Sequence, residues 1–552
     1  MIRYTWARGG DINAFFGLIL DNVAVMIVLV VLVTSAKPAA EHRFSREFVL
    51  TQMIPGTALG VVLGDLAYTW MAFRLARRTG RADVTAMPLG LDAPSTFAIG
   101  ALVLLPALND GMTRYGLDHA QAMVFGWHVG AILLVFVGVF KSVLAPLGGK
   151  IRRWVPRAGL LGSLAGIALA LIAFLPLWTH IAAVPVVGFL TLIVILVTLV
   201  AQQRLPGRIP GALAAVLLGV LVYYLGNYLA HAFAWPIVPP PIHHAAVAWR
   251  APELLPGFSR NLLWWQRVAV EALGDLPVML PFALATIVGG IDCTESAAAA
   301  GDEYDTRTIL LTEGLASMAA GACGGVIQNT PYIGQPAYKA MGGRAAYTLA
   351  TAIFIGAAGM FGWFTHLFEW LPEAAAFPIL VFIGLEISAQ SFRATPQRHI
   401  PALTLAILPA LAYLVLIALD MVLPDGPPAA QAAVVVQSLR CLANGFIVTS
   451  LLWASALAAM LDKKLVRSAG YLGIAGVCSL FGIIHSPLRP AAIALPQHVL
   501  AQMSQEPAIR CQSPYHWAAA YALAALLLIL LHLVRDRNPQ ADEPQTPHVD
   551  AC

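Results

Sequence analysis

Windows of about 20 apolar residues, the length a helix needs to cross the hydrocarbon core of a bilayer, recur along nearly the whole of this 552-residue chain. They fall near 14–35, 49–73, 87–107, 119–140, 157–177, 183–201, 210–235, 276–299, 308–326, 330–342, 345–366, 374–392, 399–423 and 436–461, with two further windows at 468–486 and 514–534. Composition agrees, since 59% of residues are hydrophobic and 11% are charged, against about 25% charged in soluble domains. The mean hydropathy is +0.75. The chain reads as an all-α polytopic membrane protein with the lipid bilayer as its surroundings. Its first apolar run, Ala14 to Ala36, is longer than a signal-peptide core and reads as a retained span.

Lys and Arg gather in RLARRTGR (74–81), KSVLAPLGGKIRRWVPR (141–157), QQRLPGR (202–208), SFRATPQRH (391–399) and DKKLVR (462–467). Cytoplasmic loops carry such an excess, so the expectation is a multi-pass protein of the plasma (inner) membrane with its amino terminus in the cytoplasm. The net charge of +4 is spread over these short loops, which leaves no basic patch for nucleic acid. Six cysteines form no CxxC pair and no Cys/His cluster, so neither a metal nor another cofactor is expected. No GxxxxGK[ST] motif supplies nucleotide energy. The histidines fall mostly at span ends or in loops, with His128 the exception in span four, and this argues against an enzyme.

The longest polar interruption divides the first fourteen windows into two groups of seven. An odd number per half forces opposite orientations if the halves are repeats, and inverted repeats are a recurring plan of secondary transporters. The expected organisation is a first seven-span repeat over 12–235, an extracytoplasmic connection over 236–275 and a second, inverted repeat over 276–461. Additional spans follow over 462–534, and then a disordered cytoplasmic tail over 535–552.

Two windows look like broken helices. In VTAMPLGLDAPSTFAIG the residues Pro88, Gly90 and Pro94 interrupt span three, and in GGVIQNTPYIGQPAYKAMGG the residues Pro331, Gly334 and Pro336 interrupt span ten. Proline removes an amide donor and obstructs the preceding turn, and unwound backbone at membrane depth survives only inside protein or beside a cavity. The breaks sit at equivalent places in the two halves and mark the expected binding site, with Ala93, Ser95, Thr96 and Phe97 from span three and Asn329, Thr330, Tyr332 and Gln335 from span ten. Phe97 and Tyr332 are candidates to sandwich a flat ring. Ionisable residues inside spans default to function, which adds Asp292, Thr294 and Glu295 of span eight as substrate contacts and Asp21, Asn22, Asp292 and Glu295 as ion-coupling groups. Asp65 is read instead as a structural carboxylate near a span end, paired with a loop arginine.

The stretch IDCTESAAAAGDEYDTRTILLTEGLASMAAGACGG from Ile291 to Gly325, continued by VIQNTPYIGQPAYKA, resembles the nucleobase-cation symporter and nucleobase-ascorbate transporter family of uracil, xanthine and hypoxanthine/guanine permeases. Asp292 matches that family's span-eight acid, and Thr330 and Tyr332 match its span-ten signature, with Pro331 in place of the second threonine. Gly90, Leu91, Asp92 and Ala93 resemble the span-three entry, and Asp21 and Asn22 stand where many members have Gln-His. Gly334 departs from the pattern, because members carry a glutamate there, and Glu295 stands where they favour glycine. The resemblance implies a 7+7 inverted-repeat fold, a homodimer, and secondary active, proton-coupled symport of a purine- or pyrimidine-like heterocycle. The alternative is an anion transporter of the sulfate or dicarboxylate type on the same plan, although Asp21, Asp292 and Glu295 repel an anion unless protonated. The charge pattern predicts that a single cysteine at position 78 is labelled from the cytoplasmic side and one at 426 from the outside; the reverse overturns this topology.

Overall fold

The computed structural model describes residues 4–35, 42–147, 156–203, 205–206, 211–233, 261–332, 334–364, 371–422, 430–488, 494–504 and 506–537. Among them 10 helices are long and apolar enough to cross a membrane, or up to 11 with a bent pair counted as one span, and three shorter apolar helices accompany them. The helices α1 (Gly10–Ser35) and α2 (Ile54–Thr79) form the first two spans. Pro55 lies in the first turn of α2, and Gly80, at φ 66°, ends the helix in the left-handed conformation that suits glycine. Span three opens with the strand β1 (Leu89–Leu91) and continues through α3 (Ala93–Ala98) and a π-helical turn into α4 (Leu105–Thr113). There follow α5 (His119–Leu144), α6 (Arg157–Ile167), α7 (Pro185–Ile195), α8 (Gly211–Phe233) and α9 (Leu262–Gly274). The second half repeats the pattern: α10 (Leu276–Ala299), α11 (Thr306–Ala322), then β2 (Asn329–Pro331), α12 (Gln335–Ala340) and α13 (Ala346–Met360). The chain ends with α14 (Pro378–Ala394), α15 (Ile400–Val422), α16 (Ala430–Ala443), α17 (Phe446–Leu461), α18 (Leu465–Leu480) and α19 (Pro514–Arg537).

The chain divides into two compact units, Met1–Trp154 with Ile167–Gln390, and Val155–Gly166 with Ser391–Cys552. In the first unit small residues bring backbones into contact, as membrane helices do where no hydrophobic force separates helix from lipid. A β-carbon on Gly138 of α5 would stand 2.7 Å from the carbonyl oxygen of Gly314 in α11, and one on Gly325 would stand 2.6 Å from the amide of Thr57 in α2. In the second unit α16 and α17 meet at an angle of 71°, where Gly445 adopts φ 69°. The following segment pins that bend. Asn444 donates to the Ser486 carbonyl at 2.6 Å, and the His485 ring bridges the Cys441 carbonyl (2.9 Å) and the Tyr521 hydroxyl (2.7 Å) while stacking on Trp517.

Several expectations change in detail. Residues 141–147, assigned to a cytoplasmic loop, complete α5 and a short 3₁₀ turn, because Lys141 has a buried partner that repays its desolvation. Of the connecting segment, 236–260 lies outside the described residues and α9 occupies much of the remainder. The two windows after 462 are α18 and α19. Residues 535–537 of the expected tail are helical, and 538–552 lie outside the described residues.

Candidate functional site

The two breaks meet. β1 and β2 pair antiparallel, with Leu89 opposite Pro331, Gly90 opposite Thr330 and Leu91 opposite Asn329. The pairing extends outward at both ends, where Tyr332 donates its amide to the Pro88 carbonyl at 2.9 Å and Asp92 donates to the Gln328 carbonyl at 3.1 Å. The two breaks run antiparallel, and the unwound backbone of each finds in its counterpart the partners that lipid does not offer.

Each break is held from behind. Asp65, fully buried within α2, accepts the Leu89 amide at 3.0 Å. This corrects its placement at a span end beside a loop arginine: the first residue of β1 has a donor to satisfy at membrane depth. Behind β2, Lys141 and Glu313, both fully buried, form an ion pair, and Lys141 donates to the Asn329 carbonyl at 2.9 Å. The Asn329 amide donates to the Ser317 hydroxyl at 3.0 Å.

Span three re-enters helix through Asp92. Its carboxylate accepts the Ser95 amide at 2.9 Å and the Gln328 side chain at 3.0 Å. The hydroxyls of Ser95 and Thr96 both donate to the Asp92 carbonyl, so these two candidates serve the helix start. Phe97 follows on the same turn, with 4% of its surface exposed.

Asp21 projects from α1 toward the strands. A β-carbon on Gly90 would lie 3.6 Å from its Oδ2 and 3.9 Å from the Tyr332 ring. The carboxylate is half-buried and has no hydrogen-bond or ion-pair partner among the described residues. Tyr332 is half-buried and stacks on Tyr338 with centroids 6.4 Å apart. Thr330 is half-buried between the buried Asn329 and Pro331. Asn22 is fully buried and donates back to the Leu18 carbonyl.

In span eight the side chain of Asp292 lies outside the described residues. Its neighbour Cys293 points its thiol at the Pro331 carbonyl, 3.5 Å away, so α10 passes β2 at this level. Thr294 is buried and shares a hydrogen bond with Thr306 at 2.9 Å, while Glu295 is exposed. Gln335 lies toward the span end, where its amide donates to Asp302 at 2.9 Å and to the Thr85 carbonyl at 3.3 Å. Asp302 also accepts the Thr85 amide (3.1 Å) and pairs with Lys339 (2.7 Å) and Arg81 (3.2 Å). At this rim the Arg81 guanidinium, bonded twice to Asp83, holds that carboxyl below its ordinary value. His128 packs: it accepts the Trp264 indole N–H at 2.9 Å and stacks on Trp265.

Sequence reasoning missed Lys141, Glu313, Asp302 and Glu386. Lys141 was masked by the basic loop that follows it, and Asp302 by its place between two spans. Glu313 and Glu386 each carried a readable signal, a lone acid inside an apolar window. Glu386 is half-buried on α14 and accepts from Gln390 at 3.3 Å.

No family model matches the chain, and no curated protein does. Among solved structures, the chain is similar to the transmembrane domain of a cyanobacterium bicarbonate transporter, BicA, with 14% identity over 74% of this chain and 96% of that one and a TM-score of 0.44. It is also similar to SLC26A9, with 11% identity over 67% of this chain and 66% of that one and a TM-score of 0.42.

The buried ion pair gives a test of what holds β2. Removing one partner strands the other charge, so Lys141→Met or Glu313→Leu alone destabilises the protein by about 3–5 kcal/mol, whereas the double substitution recovers most of that loss. Thermal unfolding of the three variants in detergent measures the cycle, and single variants that melt like wild type would show that the pair holds nothing.

Proposed function

We propose that the chain is a secondary active transporter whose solute binds where β1 and β2 meet, with a proton on Asp21 coupling its passage. The observation that carries this reading is the Asp21 carboxylate, inside span one and without a hydrogen-bond partner among the described residues, facing Gly90 and Tyr332 at the junction of the breaks. A carboxylate costs free energy in such surroundings unless it is neutralised or solvated. Alternating access lets it bind a proton on one side and release it on the other. Asp292 and Glu295 are assigned supporting roles in the same exchange.

The solute class the geometry favours is a small anion that travels with the proton. The helix after β1 begins at the break and runs on through the π-helical turn into α4, and helix amino termini favour negative charge. Asp92 already fills part of that cradle, and protonation of Asp21 removes a second charge that would repel the solute. A flat nucleobase-like ring is the second reading. It is supported by Tyr332 beside Gly90 and by the resemblance around residues 291–338, but Phe97 offers little open face for a sandwich. The same resemblance supports a homodimer.

Thermal shift of the purified protein against bicarbonate, sulfate, dicarboxylates and nucleobases separates the two classes, because a ligand of the folded state raises its apparent stability. Anions are expected to stabilise it; a response to nucleobases alone reverses the order. In proteoliposomes, Asp21→Asn is expected to retain solute exchange and lose accumulation driven by a pH gradient, and full accumulation with unchanged pH dependence removes Asp21 from the mechanism. Asp292→Asn, assayed alongside, shows whether the second half carries the coupling instead.

A further inference from the structure

The outward face of α2 carries a stripe that the transport site does not use. Leu63, Leu66 and Trp70 are exposed to 42, 41 and 56%, and the exposed Arg74 and Arg77 continue the line. The spacing is three or four residues throughout, one side of a helix, and the stripe runs about 21 Å along the axis at ~1.5 Å per residue. At its charged end Leu66, Thr69, Trp70, Phe73, Arg74 and Arg77 line a groove of about 550 Å³. The Arg74 guanidinium lies 5.4 Å from the centre of the Trp70 ring, and Phe73 meets Tyr4 edge-on at 5.2 Å. Arg74, Arg77 and the exposed Arg78 make no ion pair among the described residues. No acid follows Asp65 on α2, and the nearest loop acid, Asp83, is engaged by Arg81.

We propose that this groove binds the headgroup of an anionic phospholipid. Arg74 and Arg77 grip the phosphate, and the acyl chains lie along Trp70, Leu66 and Leu63. Tryptophan marks the level where hydrocarbon gives way to headgroups, which sets the guanidinium groups among the phosphates. With the amino terminus in the cytoplasm, this is the cytoplasmic leaflet, where anionic lipid draws basic segments. A zwitterionic lipid brings its own ammonium and leaves the excess of positive charge unanswered, so net negative lipid is selected. Three guanidinium groups on one turn favour a headgroup with two phosphates over one. The assignment is independent of the transported solute.

The test is thermal unfolding of the full-length protein in phosphatidylcholine nanodiscs containing increasing fractions of phosphatidylglycerol or cardiolipin. Both anionic lipids are expected to raise the apparent melting temperature, cardiolipin at the lower fraction. Arg74→Gln with Arg77→Gln is expected to weaken the lipid response about tenfold or more, while leaving the melting temperature in pure phosphatidylcholine unchanged. Lys463→Gln with Arg467→Gln, one on the loop after α17 and one in the first turn of α18, controls for surface charge in general and is expected to keep the full response. Equal stabilisation by added phosphatidylcholine, an undiminished response in the Arg74/Arg77 variant, or an equal loss in the control overturns the proposal. So does an equivalent shift from millimolar inorganic phosphate, which would assign the groove to a soluble anion.

Discussion

A backbone amide or carbonyl inside a bilayer has no water to turn to, and the arrangement at the centre of this protein follows from that. Two spans give up helical hydrogen bonds at Pro88 and Pro331, and the released groups pair with each other across β1 and β2. Where the partner strand does not reach, side chains from neighbouring spans take over. Asp65 accepts the Leu89 amide, Lys141 caps the Asn329 carbonyl and Ser317 receives the Asn329 amide. The charged residues buried here are there because of the unwinding. Lys141 needs Glu313, and the pair is tolerable because both ends meet a partner at once.

Much of this was legible in the chain. Approximate span limits came from apolar length, and the breaks came from proline and glycine in the third and tenth windows. The pairing register was not legible, since three-residue strands carry no periodicity to read. The roles of acids were only half legible. Asp21 and Asp65 both interrupt an apolar window, yet one accepts a backbone amide and the other has no such donor, and only the position of Leu89 tells them apart. Lys141 shows the opposite difficulty, because a basic residue beside a basic loop looks like loop until Glu313 is brought against it.

The rim of the first unit follows a different rule. Asp302 collects Thr85, Gln335, Lys339 and Arg81, while Asp11 takes the amides of Arg344 and Tyr347. Asp302 binds the ends of spans three, eight and ten to one another, and Asp11 binds the start of span one to that of span eleven. Polar residues near the junction therefore divide into those that hold the scaffold, such as Gln335, Ser95 and Thr96, and those without a hydrogen-bond partner among the described residues, of which Asp21 is the clearest.

The strand pair also has a consequence for biosynthesis. Leu89 and Pro331 stand about 240 residues apart, so the opening of span three leaves the ribosome long before its partner exists. Until span ten arrives, the nascent first half must shelter an unwound segment by other means, with Asp65 as the first acceptor at hand. Contacts this distant in sequence form late and leave early intermediates exposed. The step most open to failure is then the docking of the second half onto the first, and membrane-embedded chaperones and proteases would meet this chain as a half-made protein with an unmet backbone at its centre.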